Sequence, residues 1–170
     1  MVEEPDNGIL SMPQMTPIYH IRGLLALQTR LGADIENYFD TRPLDPGRTI
    51  ASDALKQQFR SAIHITRPSA RYNCHGLTFA SRRTSIEDPK EVEKILAHDG
   101  YAEIERTNVK PGDIAVYYRS SQIDHSGLVV TTNDFGRISI LSKWGELHEA
   151  IHQPHDCPYD ASNIRFFRTQ

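Results

Sequence analysis

The spacing of apolar residues changes near Gly100, and this change limits the folds open to the chain more than any other feature. Upstream, Asp88-Pro89 pairs an N-capping residue with the residue that best suits a first helical position. The stretch 89–98 therefore reads as a helix, ended by Gly100. Downstream, apolar and aromatic residues fall in short runs at 101–105, 114–118, 125–131, 137–142 and 163–168. Such runs predict strands. Lys110-Pro111-Gly112-Asp113 and Asn133-Asp134-Phe135-Gly136 supply turn chemistry between them. Helices followed by an antiparallel sheet make an α+β order.

Residues 1–17, with three prolines and one glycine, read as an extended arm. From 18 to 40, Ile21, Leu24, Leu25, Leu27, Leu31, Ile35 and Phe39 fit the period of one or two helices, with Gly23 and Gly32 opposing that pattern. The stretch 41–52 is turn-rich, a short helix is expected over 53–63, and Pro68 marks a boundary. A further helix begins after Asn73, a suitable N-cap, within 72–83. The expected organisation is an arm (1–17), an N-terminal helical segment (18–66) and a core (67–170) in one compact domain. Residues 18–66 are also the candidate surface for a protein partner.

Composition narrows the function classes. With 38% hydrophobic and 24% charged residues, the chain of 170 residues can bury a core, which excludes wholesale disorder. A net charge of −3 without a basic stretch argues against nucleic acid as partner. No apolar run reaches the roughly 18–20 residues of a membrane span. The acidic, Pro-interrupted N-terminus lacks the features of a secretory signal. The expectation is a cytoplasmic protein, or one exported without a classical signal. Cys74 and Cys157 do not make a disulfide framework, so a reduced compartment with a free Cys74 is expected.

Cys74 falls where a helix should start. Free N–H groups and a partial positive charge there favour thiolate over thiol. His125 opens an expected strand about fifty residues later and is the expected base. His75 points about 100° away from Cys74 around a helix and is a poor partner. A rival signal lies at His148-Glu149-Ala150-Ile151-His152, which matches the H-E-x-x-H zinc pattern, with His155 and Cys157 close by. Pro154 interrupts the helix that pattern needs, and neither a distal glutamate nor the extended histidine spacing follows. A polar loop or short helix is the alternative reading of that segment.

Three segments, in order, carry a resemblance. Asn73-Cys74-His75-Gly76-Leu77 resembles the D-C-S-G-L nucleophile segment of NlpC-type cell-wall peptidases. Lys110-Pro111-Gly112-Asp113-Ile114-Ala115-Val116-Tyr117 resembles their K-P-G-D-L-V-F-F turn and strand. His125-Ser126-Gly127-Leu128-Val129-Val130 resembles their base-histidine strand. The chain is similar also to CHAP amidases of the same papain-like superfamily, over about residues 70–168. The resemblance implies a papain-like fold and cysteine peptidase or amidase activity without a cofactor. It implies a peptide or peptidoglycan-fragment substrate, and the same chemistry can run as transfer or deamidation. It departs at Asn73 and His75, where the family has Asp and Ser. The family's third catalytic residue, which orients the imidazole, falls on Ser142, with Lys143, Glu146 or a backbone carbonyl as alternatives. Tyr72 is a candidate for the tyrosine that the family places near its nucleophile, and Trp144 reads either as a core edge or as a cleft wall. Alternatives to the cysteine hydrolase are a zinc hydrolase using His148, Glu149 and His152, and an inactive binding module on the same scaffold.

Overall fold

A computed structural model describes residues 21–133 and 135–170. The expected arm 1–17 lies outside them. The chain is α+β, with a large antiparallel sheet and few helices.

The first described segment is extended, not helical. A two-stranded ribbon joins β1 (Arg22–Gly23) to β2 (Phe39–Asp40). The apolar spacing over 18–40 misled because the side chains do not share one buried face: Leu24 and Leu31 are 75% and 73% exposed, whereas Ile35 is 4% exposed. Asn37 also takes the backbone of Leu25 on both sides, accepting from its N–H (3.1 Å) and donating to its carbonyl (2.9 Å). Such local bonds compete with a helical ladder.

The first helix, α1 (Pro46–Gln58), starts earlier than expected. Asp45 caps it by accepting from Gly47 N–H at 2.7 Å, and Pro46 begins it. β3 (Ile63–His64) follows, then α2 (Cys74–Phe79) and α3 (Pro89–His98). Asn73 and Asp88 cap the last two, as expected. The remaining strands are β4 (Tyr101–Ile104), β5 (Ile114–Arg119), β6 (Gln122–Thr132), β7 (Ile138–Lys143), β8 (Glu149–His152) and β9 (Ile164–Thr169).

Seven strands pair antiparallel in the order β3-β8-β7-β6-β5-β9-β4. Each face carries its own core. One is built on Tyr117, Val129, Ile140, Trp144 and Phe166, with Leu55 of α1 and Tyr159 packed against it. The other joins Val116, Ile114 and Phe167 to Val92, Ile95 and Leu96 of α3. α2 packs on that second side, across β6 and β7. α1 packs against the first core through Leu55, and β3 extends the sheet by pairing with β8. Among the described residues, no helix is long and apolar enough to cross a membrane.

A bulge sets the site. Tyr117 pairs with His125 but Tyr118 pairs with Ile123, so Asp124 is the extra residue. A bulge shifts the alternation of a strand by one. His125 accordingly faces Tyr117 and Tyr159, while Ser126 faces α2.

Candidate active site

Cys74 is the first residue of α2. Its entry is fixed by Asn73, whose Oδ1 accepts from the N–H groups of Gly76 (2.8 Å) and Ile86 (3.2 Å). The Asn73 amide donates to the Ile86 carbonyl at 2.7 Å. Gly76 has to be glycine, because a Cβ there would stand 1.7 Å from the Thr84 carbonyl oxygen. The thiol lines a polar cleft of about 440 Å³ together with Tyr38, Arg48, Glu87, Asp124, Glu146 and Tyr159.

Two effects compete at the sulfur. The backbone N–H groups of Ser126 and His75 favour the thiolate. Burial opposes them and wins, with Glu87 adding repulsion, and the thiol is pushed up to about 12. A six-residue helix adds little dipole to reverse this.

His75 is held by a proton chain whose direction can be worked out. Thr78 Oγ1 donates to the Cys74 carbonyl at 2.9 Å, so Ser126 Oγ must give its proton to Thr78 Oγ1 at 3.0 Å. Ser126 can then only accept from His75 Nδ1, at 2.8 Å. His75 thus carries its proton on Nδ1 and lines the cleft beside Cys74. Burial holds its pKa down to about 4, against a pull upward from Asp124.

His125 does not line the cleft. It is fully buried, and neither ring nitrogen has a hydrogen-bond partner, Cys74 Sγ included. The Tyr159 ring lies flat on it, with centroids 3.5 Å apart and planes 9° apart. Burial, with His152 and His75 nearby, keeps His125 neutral, its pKa well below the ordinary value.

Ser142 does not orient His125. Its hydroxyl is 2.7 Å from His152 Nε2, and His152 Nδ1 donates to the Gln153 carbonyl at 2.8 Å. Ser142 therefore donates to His152. Glu146 is taken by Arg48 at 3.1 Å. Lys143 points to the opposite face from Ser142, toward α2, with Nζ 4.8 Å above the Tyr72 ring. Tyr72 is not at the cleft, because its hydroxyl donates to Glu149. Trp144 belongs to the core, packed among Phe59, His64 and His148.

The H-E-x-x-H segment is strand β8, not a helix. Strand alternation sends Glu149 to the α2 face, where Arg82 pairs with it at 2.8 Å. His152 stays on the opposite face with Ser142. His148 Nδ1 sits 2.6 Å from Ser52 Oγ and its Nε2 sits 2.9 Å from His64 Nδ1. The helical zinc arrangement is thus not formed, and among the described residues no group of three His, Cys, Asp or Glu could hold a metal ion. Cys157 is buried and, like Cys74, free.

Glu87, Asp124 and Tyr159 were missed as cleft residues. They stand on loops or on the bulge, where no period marks them. Asp124, immediately before the base histidine of the motif, was the one local clue. No family model, curated protein or solved structure matches the chain.

Proposed function

We propose that the chain is a cysteine-dependent amide hydrolase of papain-like arrangement, with Cys74 as nucleophile and His125 as proton carrier. One observation carries this reading. Cys74 stands at a helix start on the wall of a polar cleft, where the backbone N–H groups of Ser126 and His75 favour its thiolate. The order of helix, turn, strand and histidine strand agrees with the resemblance to NlpC-type and CHAP enzymes.

The Cys74 proton passes to His125, and the thiolate attacks the amide carbonyl to form a C–S bond. The carbonyl oxygen takes the electron pair and is held by backbone N–H groups beside the sulfur. Collapse breaks the C–N bond, and the His125 imidazolium protonates the leaving amine. Water then gives a proton to His125 and attacks the thioester, which releases the acid and restores the thiol. All of this requires the Tyr159 ring to leave His125 and the freed imidazole to turn toward Cys74, to which it makes no bond in the structure. The substrate is a peptide or peptidoglycan fragment. Arg48 pairs with Glu146 and Arg119 with Asp124, which leaves Glu87 as the acid of the cleft without an ion pair, and this favours a substrate carrying positive charge. Transfer to an amine, or deamidation of a side-chain amide, uses the same steps.

A second reading is a binding module without turnover. Its motive is the covered His125, which makes no bond to Cys74. Alkylation of Cys74 by iodoacetamide from pH 4 to 9, in a Cys157→Ala background, separates the two. In Tyr159→Ala, which uncovers His125, the hydrolase predicts a rate that titrates below the free-cysteine value of about 8.5 and loses that profile when His125→Ala is added. A thiol that is inert over the whole range, with or without His125, would leave only the binding module.

A further inference from the structure

Less holds α1 to the sheet than holds α2 or α3. Its one buried residue is Ser52, and Leu55 and the capping Phe59 are only partly buried against the first core. An element with so little apolar surface beneath it opens at lower cost than the rest of a fold. A polar chain seats it, leaving α1 at Ser52 and returning to it at Phe59. Ser52 Oγ is 2.6 Å from His148 Nδ1, His148 Nε2 is 2.9 Å from His64 Nδ1, and His64 Nε2 is 3.2 Å from the Phe59 carbonyl oxygen.

The direction of the chain follows from its end. A carbonyl only accepts, so His64 donates from Nε2 and, when neutral, presents a lone pair at Nδ1. His148 therefore donates from Nε2 and accepts at Nδ1, and Ser52 donates to it. A further proton has no place in this arrangement. One arriving at His64 Nδ1 meets the His148 N–H across 2.9 Å, and one arriving at His148 Nδ1 meets the Ser52 hydroxyl across 2.6 Å.

The surroundings refuse the charge as well. His148 is fully buried. Trp144 packs on both imidazoles, and Phe59 packs on Trp144. The groups acting on His148 are His64 from β3, Lys56 and Asp53 from α1, and Lys143 from β7. Asp53 is the one acid among them, and Lys56 pairs with it at 2.9 Å. Burial is the main cause that holds the His148 pKa down to about 4, with His64, Lys56 and Lys143 adding to it and Asp53 opposing.

We propose that the His64–His148 pair is an acid-sensitive latch on α1, and that proton uptake releases this helix from the sheet while the central strands stay paired. Release hydrates both imidazoles, which then accept protons that the docked chain refuses. The docked form binds fewer protons, so release is favoured as pH falls below the ordinary histidine value of about 6.5. The effect reaches the cleft. Arg48, in the first turn of α1, pairs with Glu146 at 3.1 Å, and both line the cleft beside Cys74. Release withdraws Arg48 and leaves Glu146 unpaired, so acid conditions make the cleft wider and more negative. The latch does not depend on what Cys74 does.

Amide hydrogen exchange of the full chain tests it, with each rate divided by that of an unstructured amide at the same pH. Peptides covering α1 are compared with peptides covering β5 and β6. The opening constant of α1 is expected to rise about tenfold from pH 7.5 to pH 5.5 for one proton taken up, while β5 and β6 keep their protection. His148→Gln retains a donor toward His64 and an acceptor toward Ser52 but takes no proton, and in it α1 should lose most of this pH dependence. Protection of α1 that persists at pH 5.5, or that is lost only together with β5 and β6, would overturn the latch. So would a pH dependence that is unchanged in His148→Gln. Should that variant not fold, imidazole NMR of the parent decides. His148 taking its proton in step with the loss of α1 protection upholds the latch, and His148 taking it while α1 stays protected overturns it.

Discussion

At the scale of single residues, the informative contest is at His125, between burial and pairing. A buried polar atom without a partner costs about 1–3 kcal/mol. His125 has two such atoms. An aromatic stack returns about 0.5–1.5 kcal/mol, so the Tyr159 ring does not offset the loss. Groups of this kind call for an explanation other than stability. Under the proposed function, His125 is a base held covered until substrate displaces Tyr159. Tyr159→Ala is then expected to hydrate His125 and bring its titration toward the ordinary value of about 6.5, and to raise the rate of Cys74 alkylation at pH 7. Tyr159→Phe keeps the ring and should leave the His125 titration well below the ordinary value. Imidazole NMR titration of both variants reads the outcome. If His125 in Tyr159→Ala still fails to titrate in that range, the ring is not what keeps it neutral.

At the scale of elements, α2 shows how one turn can depend on one missing side chain. The helix is six residues long, too short to hold itself together by its own hydrogen bonds. It is fixed instead by Asn73 and by contact of Gly76 with the chain at Thr84, whose carbonyl oxygen a Cβ would meet at 1.7 Å. Backbone cannot yield as a flexible side-chain tip would. Gly76→Ala is expected to cost about 3 kcal/mol or more, the upper range of overpacking, as a lowered urea midpoint. A midpoint unchanged within error would mean that the chain at Thr84 can shift. The same elements show what could be read from the sequence. Asp88-Pro89 announced α3, and Asn73 announced α2, because capping is local chemistry. Asp45-Pro46 carried the same signal for α1 but was hidden among Pro43 and Gly47, which look like turn residues. The apolar spacing of 18–40 and the H-E-x-x-H pattern of 148–152 failed for a different reason. Both matched a helical period, and tertiary context overrode it: Asn37 binds the Leu25 backbone, and β8 completes a sheet between β7 and β3. Cys74 and His125 were legible as motif residues. The face of His125 was not, because it depends on the bulge at Asp124. The partners of Ser142, Lys143 and Tyr159 were not legible either, because each is set by contacts distant in sequence.

At the scale of the whole molecule, the sheet buries several histidines in the neutral form. His75 and His148 are both held down to about 4, and His125 and His152 are lowered too, in every case mainly by burial. In the unfolded chain each takes a proton as the pH falls through about 6.5. The folded chain refuses it until much lower pH. Between these limits the unfolded state binds more protons, so stability rises with pH and is lost on acidification. The carboxylates do not mask this. Asp113 and Glu149, paired with Arg168 and Arg82, are lowered from ordinary values near 4, so their contribution is lost only at still lower pH. The window from about 6.5 to 4 therefore belongs to the histidines. His75, almost wholly buried, accounts for about 3 kcal/mol across it. His148, fully buried as well, contributes in the same direction. The urea midpoint is expected to fall steadily from pH 7 to pH 5, well before carboxylate protonation begins. The slope should shrink in His75→Gln, which keeps a polar side chain against Ser126 but removes the titration. A midpoint that is flat from pH 7 to 5 would mean that these rings accept protons in the folded chain, and the neutral His125 on which the covered-base mechanism depends would fail with it.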